Sequence, residues 1–153
     1  MNLNKSILIV AGEPNSVFLE IFFKSLKKVK FNKPLILIAS HKLITMQMNK
    51  LNFTKKIRIL DNKNILNSKL DNKKINLINV NYNSSKAFEL ISSKSKSYIE
   101  NCFKIAFQLI KMHGFKRVIT GPISKKYFLN KKYLGITEYI SEKFNIKKNA
   151  MLI

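Results

Sequence analysis

A chain of 153 residues with 46% hydrophobic content is long enough to form one domain with its own core, and its single cysteine, Cys102, excludes an internal disulfide and fits a reducing, cytoplasmic setting. A formal charge of +21 would point to nucleic acid. However, Arg58 and Arg117 are the only arginines, the lysines are spread as separate doublets, and the joint excess of Lys, Asn, Ile and Phe is what AT-rich coding sequence produces, so no nucleic-acid partner is expected.

The apolar run Ile7 to Ala11 is too short for a signal peptide or a membrane span, which predicts a soluble protein without a membrane partner. Within Ser6 to Ala11, the continuous pattern of Ile7, Ile9 and Val10 reads as a strand buried on both faces. Gly12-Glu13-Pro14-Asn15-Ser16 is a turn, with Ser16 placed to cap a helix from about Val17 to Val29. Phe18, Ile21, Phe22, Ser25 and Leu26 recur there at spacings of three and four and form a stripe for the sheet. Leu35 to Ala39 predicts a second buried strand, and Ser40 a cap for a helix from about His41 to Asn52.

Ile57 to Leu60 predicts a third strand, Asp61 to Lys74 an exposed loop or an irregular excursion, and Ile75 to Val80 a fourth strand. From about Ser92 to His113 a long helix is expected, with Tyr98, Cys102, Ile105, Ala106, Leu109 and Met112 on its apolar face and Gly114 stopping it in a left-handed conformation. Cys102 on that stripe reads as core. A strand ending at Val118-Ile119 follows, then a helix from about Thr137 to Phe144, then an apolar run, Ala150 to Ile153, read as a further strand in which the chain stops. The alternation predicts an α/β fold around a mostly parallel sheet with right-handed crossovers.

The segment Thr120-Gly121-Pro122-Ile123-Ser124-Lys125 lies at the carboxyl end of a predicted strand, where open α/β sheets bind ligands. A hydroxyl at Ser124 and an ammonium at Lys125 suit a phosphate or a carboxylate. Thr137 and Glu138 could instead serve simply to begin a helix, with Thr137 capping and Glu138 facing the positive end of the dipole. His41 and His113 are the only histidines, too few for a catalytic metal site without carboxylates or a partner chain. Glycine-rich nucleotide loops, Cys-x-x-Cys and Gly-x-Ser-x-Gly are all absent.

The order of Gly12-Glu13-Pro14, the long helix ending at His113-Gly114, Thr120-Gly121-Pro122-Ile123-Ser124-Lys125 and Gly135-Ile136-Thr137-Glu138 resembles the 4-hydroxythreonine-4-phosphate dehydrogenase family. The resemblance runs through the amino-terminal half of the family's usual length, so that residues 1–153 correspond to one α/β region of an apparently truncated chain lacking the carboxyl-terminal half. It implies an isocitrate/isopropylmalate dehydrogenase-like fold and a cytoplasmic homodimer. It further implies NAD-dependent oxidation of 4-hydroxythreonine 4-phosphate with decarboxylation, assisted by a divalent metal, in pyridoxal phosphate (vitamin B6) biosynthesis. Substrate contacts would fall on Ser124 and Lys125, with Thr120, Gly121, Thr137 and Glu138 around them.

The chain departs from the family where Ile136 occupies the position of a metal-binding histidine, and where Asn15-Ser16-Val17-Phe18-Leu19 replaces a glycine-rich run. Isoleucine cannot bind a metal, so no metal ligand is assigned. The alternative is a non-catalytic α/β module that binds a small phosphorylated or carboxylated ligand.

Overall fold

Three apolar runs bounded by polar turns make the middle of the sheet: β1 (Ile7–Val10), β2 (Leu35–Ala39) and β4 (Ile75–Asn79). All five residues of β2 are buried, as expected for a strand covered on both faces. The computed structural model describes residues 5–130 and 132–145. Two shorter strands, β3 (Ile57–Ile59) and β5 (Val118–Thr120), flank the middle three in the order β3-β4-β2-β1-β5, and every neighbouring pair is parallel.

Four α-helices accompany these strands: α1 (Phe18–Lys28), α2 (His41–Lys50), α3 (Lys96–His113) and α4 (Ile136–Phe144). From β1 through β2 to β3 the chain steps toward one edge, and from β4 to β5 it crosses back past β2 and β1. Right-handed crossovers in opposite directions put α1 and α2 on one face and α3 on the other. In keeping with this, α1 touches α2, while α3 lies on β1 and β2. None of the helices among the described residues is long and apolar enough to cross a membrane.

The local signals fix several boundaries. The Ser40 hydroxyl accepts from Leu43 N at 3.3 Å and caps α2, and Gly114 ends α3 with φ of +67°. Cys102 is fully buried, and burial pushes its thiol up to about 12, so it is packed core rather than a nucleophile.

Two local readings change, at Ser16 and Met112, and two others are refined. Ser16 sits one residue too early to be the cap of α1. Its hydroxyl instead donates to Glu13 O at 2.7 Å and accepts from Phe18 N at 3.3 Å. In α3 the buried stripe runs through Ile99 and Phe103 as well as Tyr98, Cys102, Ala106 and Leu109, which turns Met112 outward to 73% exposure. Val118 and Ile119 are partly exposed, because β5 lies at the sheet edge.

Of the two readings of Asp61 to Lys74, the irregular excursion holds, and it is anchored to the fold. Ile65 is fully buried, Asn72 accepts from Leu35 N at 3.0 Å, and its amide donates to Phe31 O and Lys33 O at 3.0 and 2.8 Å. The expected strand at Ala150 to Ile153 lies outside the described residues.

Candidate functional site

The strand order creates one topological switch point. The chain leaves β1 toward β2 on one side, and β5 arrives on the other. Ligands in open α/β sheets bind outside the carboxyl ends of strands at such a point. Here two turns meet there: Gly12-Glu13-Pro14 after β1, and Gly121-Pro122 after β5.

Their backbones are in direct contact. Glu13 N donates to Pro122 O at 2.8 Å and Gly121 N to Val10 O at 2.7 Å. Gly12 has φ of +73°, and a Cβ on it would stand 2.4 Å from Pro122 O. A Cβ on Gly121 would stand 2.1 Å from Ala11 O. Both glycines are therefore set by the closeness of the turns, which gives Gly121 a packing role.

Glu13 holds this junction from within. It is 3% exposed, its carboxylate accepts from Ser95 Oγ at 2.8 Å, and Asn15 N lies at 3.4 Å from its other oxygen. Ser95 stands just before α3, so the pair ties the β1 turn to the start of that helix. Two more bonds pin the loop: Gln47 Nε2 donates to Pro14 O at 3.0 Å, and Glu89 N donates to Asn15 Oδ1 at 3.1 Å. The role of Glu13 was not legible in the sequence, because Ser95 is 82 residues away.

Burial pushes the Glu13 carboxyl above its ordinary 4.5, and the bonds from Ser95 and Asn15 offset only part of this. Between the ordinary and the raised value the folded protein holds a proton that the unfolded chain has released, so stability falls as pH rises through that window. Glu13→Gln keeps an acceptor for Ser95 and is expected to remove that share of the fall. Urea midpoints at mildly acidic and neutral pH check it: the difference between the two should shrink in the variant.

Beyond Pro122 the chain makes a single π-helical turn, Lys125–Leu129, closed by Asn130 at φ of +49°. Such turns recur at functional sites. Ser124 Oγ accepts from Tyr127 N at 3.2 Å, and Phe128 N is taken by Ser124 O at 2.9 Å. These amides are used within the turn, so anion binding there would rest on side chains. A hydroxyl that accepts one bond can still donate its own hydrogen. Lys125 is exposed and, with Lys126, Asn130, Tyr133 and Leu134, lines a cleft of about 600 Å³. Thr120, at the end of β5, and Gly121 lie behind this turn, and neither Thr137 nor Glu138 lines the cleft.

Gly135, not Thr137, is the residue that precedes α4, and no side chain caps the helix. Thr137 and Glu138 occupy its first turn, where the carboxylate favourably meets the helix dipole. Ile136 is half-buried and packs against the core. Among the described residues no three His, Cys, Asp or Glu side chains come together. His41 starts α2, its N–H bound to Asn79 Oδ1 at 2.8 Å, and His113 ends α3. These residues do not fit a divalent metal.

The architecture is similar to that of three solved structures. A 4-hydroxythreonine-4-phosphate dehydrogenase from Burkholderia phymatum superimposes with a TM-score of 0.79 at 20% identity, over 94% of this chain and 44% of that one. A putative 4-hydroxythreonine-4-phosphate dehydrogenase from Salmonella typhimurium gives 0.78 at 18% identity, over 94% and 46%. A 4-hydroxythreonine-4-phosphate dehydrogenase from Klebsiella pneumoniae gives 0.72 at 20% identity, over 90% and 44%. The chain thus spans less than half the length of these proteins, and at such identities the likeness concerns the fold. No curated protein sequence matches. A family profile described as pyridoxal phosphate biosynthetic protein PdxA matches residues 30–153, which takes in α2, α3, α4 and both halves of the Thr120 to Glu138 motif. The chain belongs to the PdxA family.

Proposed function

We propose that this chain binds 4-hydroxythreonine 4-phosphate for an NAD-dependent dehydrogenase reaction of pyridoxal phosphate biosynthesis, in the cytoplasm and as part of a homodimer. Lys125 supplies a point charge to the substrate phosphate and Ser124 a hydrogen bond. Thr120 and Gly121 shape the turn behind them, and Thr137 and Glu138, which do not line the cleft, would reach the substrate only from the first turn of α4. NAD would be the hydride acceptor of that reaction, and no step is assigned to a metal, because the described residues do not fit one. The observation that supports this reading is the junction of the β1 and β5 turns at the switch point, followed in the chain by Ser124 and by Lys125, the second of which lines an open cleft.

Ile136 favours a second reading, in which the chain binds the phosphorylated ligand without oxidising it, because no metal ligand stands at the start of α4.

Two measurements on the same chain separate the readings. Calorimetric titration with 4-hydroxythreonine 4-phosphate should show saturable binding, and a charge-assisted contact of ~1.5–3 kcal/mol implies that Lys125→Ala weakens it roughly tenfold to a hundredfold. Lys126→Ala, whose ammonium lies 5.0 Å from the Tyr127 ring centre, should change affinity about twofold or less, since an exposed contact of this kind is worth little. NADH formation with added Mg²⁺ or Zn²⁺ then decides between oxidation and binding alone. Equal effects of the two lysine variants would defeat the assignment of Lys125.

A further inference from the structure

A second cleft, of about 550 Å³, opens on the far side of the π-helical turn, between α3 and α4. Its floor is aromatic. The Tyr139 ring stands 5.2 Å from Phe128, 5.5 Å from Tyr133 and 6.2 Å from Phe107. This floor joins helices that lie far apart in sequence, and of its rings only Tyr133 also lines the cleft beside Lys125.

The rim is cationic, and the spacing on α3 makes it so. Lys96, Glu100, Lys104 and Lys111 recur on one face of the helix, all of them lining the cleft. Lys143 of α4 comes over the Tyr139 ring at 5.7 Å. Lys132 is engaged by Glu142 at 3.2 Å, which also accepts from Tyr133 Oη at 2.7 Å. Setting that pair aside, four lining ammonium groups, Lys96, Lys104, Lys111 and Lys143, face one lining carboxylate, Glu100. Like charges gathered around one cleft repel each other, and an anion seated among them relieves that repulsion.

Lysine excess alone does not distinguish this place, because lysines cover the whole chain. The distinguishing feature is the combination of edge-to-face and tilted rings with a lysine rim in a cavity within the usual size of small-ligand sites. Aromatic floors take planar rings, and ammonium groups take phosphates.

We propose that the cleft between α3 and α4 binds a small planar aromatic ligand carrying a phosphate, of the size of a nucleoside monophosphate. The ring lies against Tyr133 and Tyr139, and the phosphate reaches Lys104 and Lys111. The site shares Asn130 and Tyr133 with the first cleft but includes neither Ser124 nor Lys125, so it stands whether or not those two residues bind the hydroxy amino acid phosphate.

Backbone amide NMR of the whole 153-residue chain, titrated with adenosine monophosphate, tests it. Shifts are expected to gather on Lys104, Phe107, Tyr133 and Tyr139, with affinity at least about tenfold above that for inorganic phosphate and for adenosine, because each alone satisfies half of the site. The double variant Lys104→Glu with Lys111→Glu changes two exposed side chains, should keep its circular dichroism spectrum, and should lose at least that tenfold. Inorganic phosphate binding as well as the nucleotide, shifts scattered over the lysine doublets, or shifts confined to Ser124 and Lys125 would each overturn the proposal. So would tighter binding of oligothymidylate with increasing length, which would make the rings a single-strand stacking surface.

Discussion

Gly121→Ala is expected to destabilise the protein by about 3 kcal/mol, at the upper end of what overpacking costs. The added Cβ would meet Ala11 O at 2.1 Å, Ala11 C at 2.8 Å and the Phe18 Cγ at 2.9 Å. Two of these are backbone atoms of the residue that follows β1, so no rotamer change relieves the clash. Relief requires β5 to move away from β1, against a register that pairs Leu8, Ile9 and Val10 with Val118, Ile119 and Thr120. The Glu13 N to Pro122 O bond would open with it, and Ser124 and Lys125 would shift relative to β1. Gly135→Ala is the contrasting case. Its φ of −161° is ordinary extended backbone, and the nearest atom to the new Cβ is Glu138 Oε2 at 3.2 Å, the far end of a flexible side chain. Urea denaturation of both variants checks the difference: a large drop for position 121 and a small change for position 135. Equal midpoints would show that the two turns are not in contact as described.

The second large effect is expected at Phe103, where Phe103→Ala should cost about 4 kcal/mol through lost burial and the cavity left behind. Phe103 is 1% exposed and lies 5.5 Å from Tyr139, 5.7 Å from Phe107 and 6.0 Å from Phe128, ring centre to ring centre. It is the point where α3, the π-helical turn and α4 converge. Removing the ring should therefore loosen the segment carrying Ser124 and Lys125 as well as lowering global stability. Thermal unfolding measures the first effect, and amide exchange at Lys125 to Leu129 measures the second. Phe103→Leu, which keeps most of the volume, should cost less than half as much. A small loss for the alanine variant would mean that α4 does not pack on α3 through these rings.

Where a local signal has a local partner, the sequence reveals it. Ser40 caps α2 through Leu43 N, three residues on, and Gly114 ends α3 because only the left-handed region fits there. The three central strands are visible as unbroken apolar runs because both of their faces are covered. Elsewhere the deciding contact is distant. Asn72 looks like one more polar loop residue, yet it fastens the loop to the residues around β2, about 40 positions earlier. Met112 fits a helical stripe on paper, but the buried face of α3 includes Ile99 and Phe103, and Met112 falls outside it.

The site was legible in the same uneven way. Thr120 to Lys125 announces a strand-end turn by its own residues, whereas its neighbour across the switch point, Glu13, acquires meaning only from Ser95 and Pro122. Ile136 is plain in the sequence as an apolar residue, and the structure adds that its half-buried side chain packs against the core from the first turn of α4.

The most direct test is a crystal structure of this chain with 4-hydroxythreonine 4-phosphate. The phosphate is expected within hydrogen-bond distance of Ser124 Oγ and Lys125 Nζ, at the carboxyl ends of β1 and β5. A phosphate found instead in the cleft between α3 and α4, with the Ser124 and Lys125 side chains empty, would contradict the assignment of the substrate site.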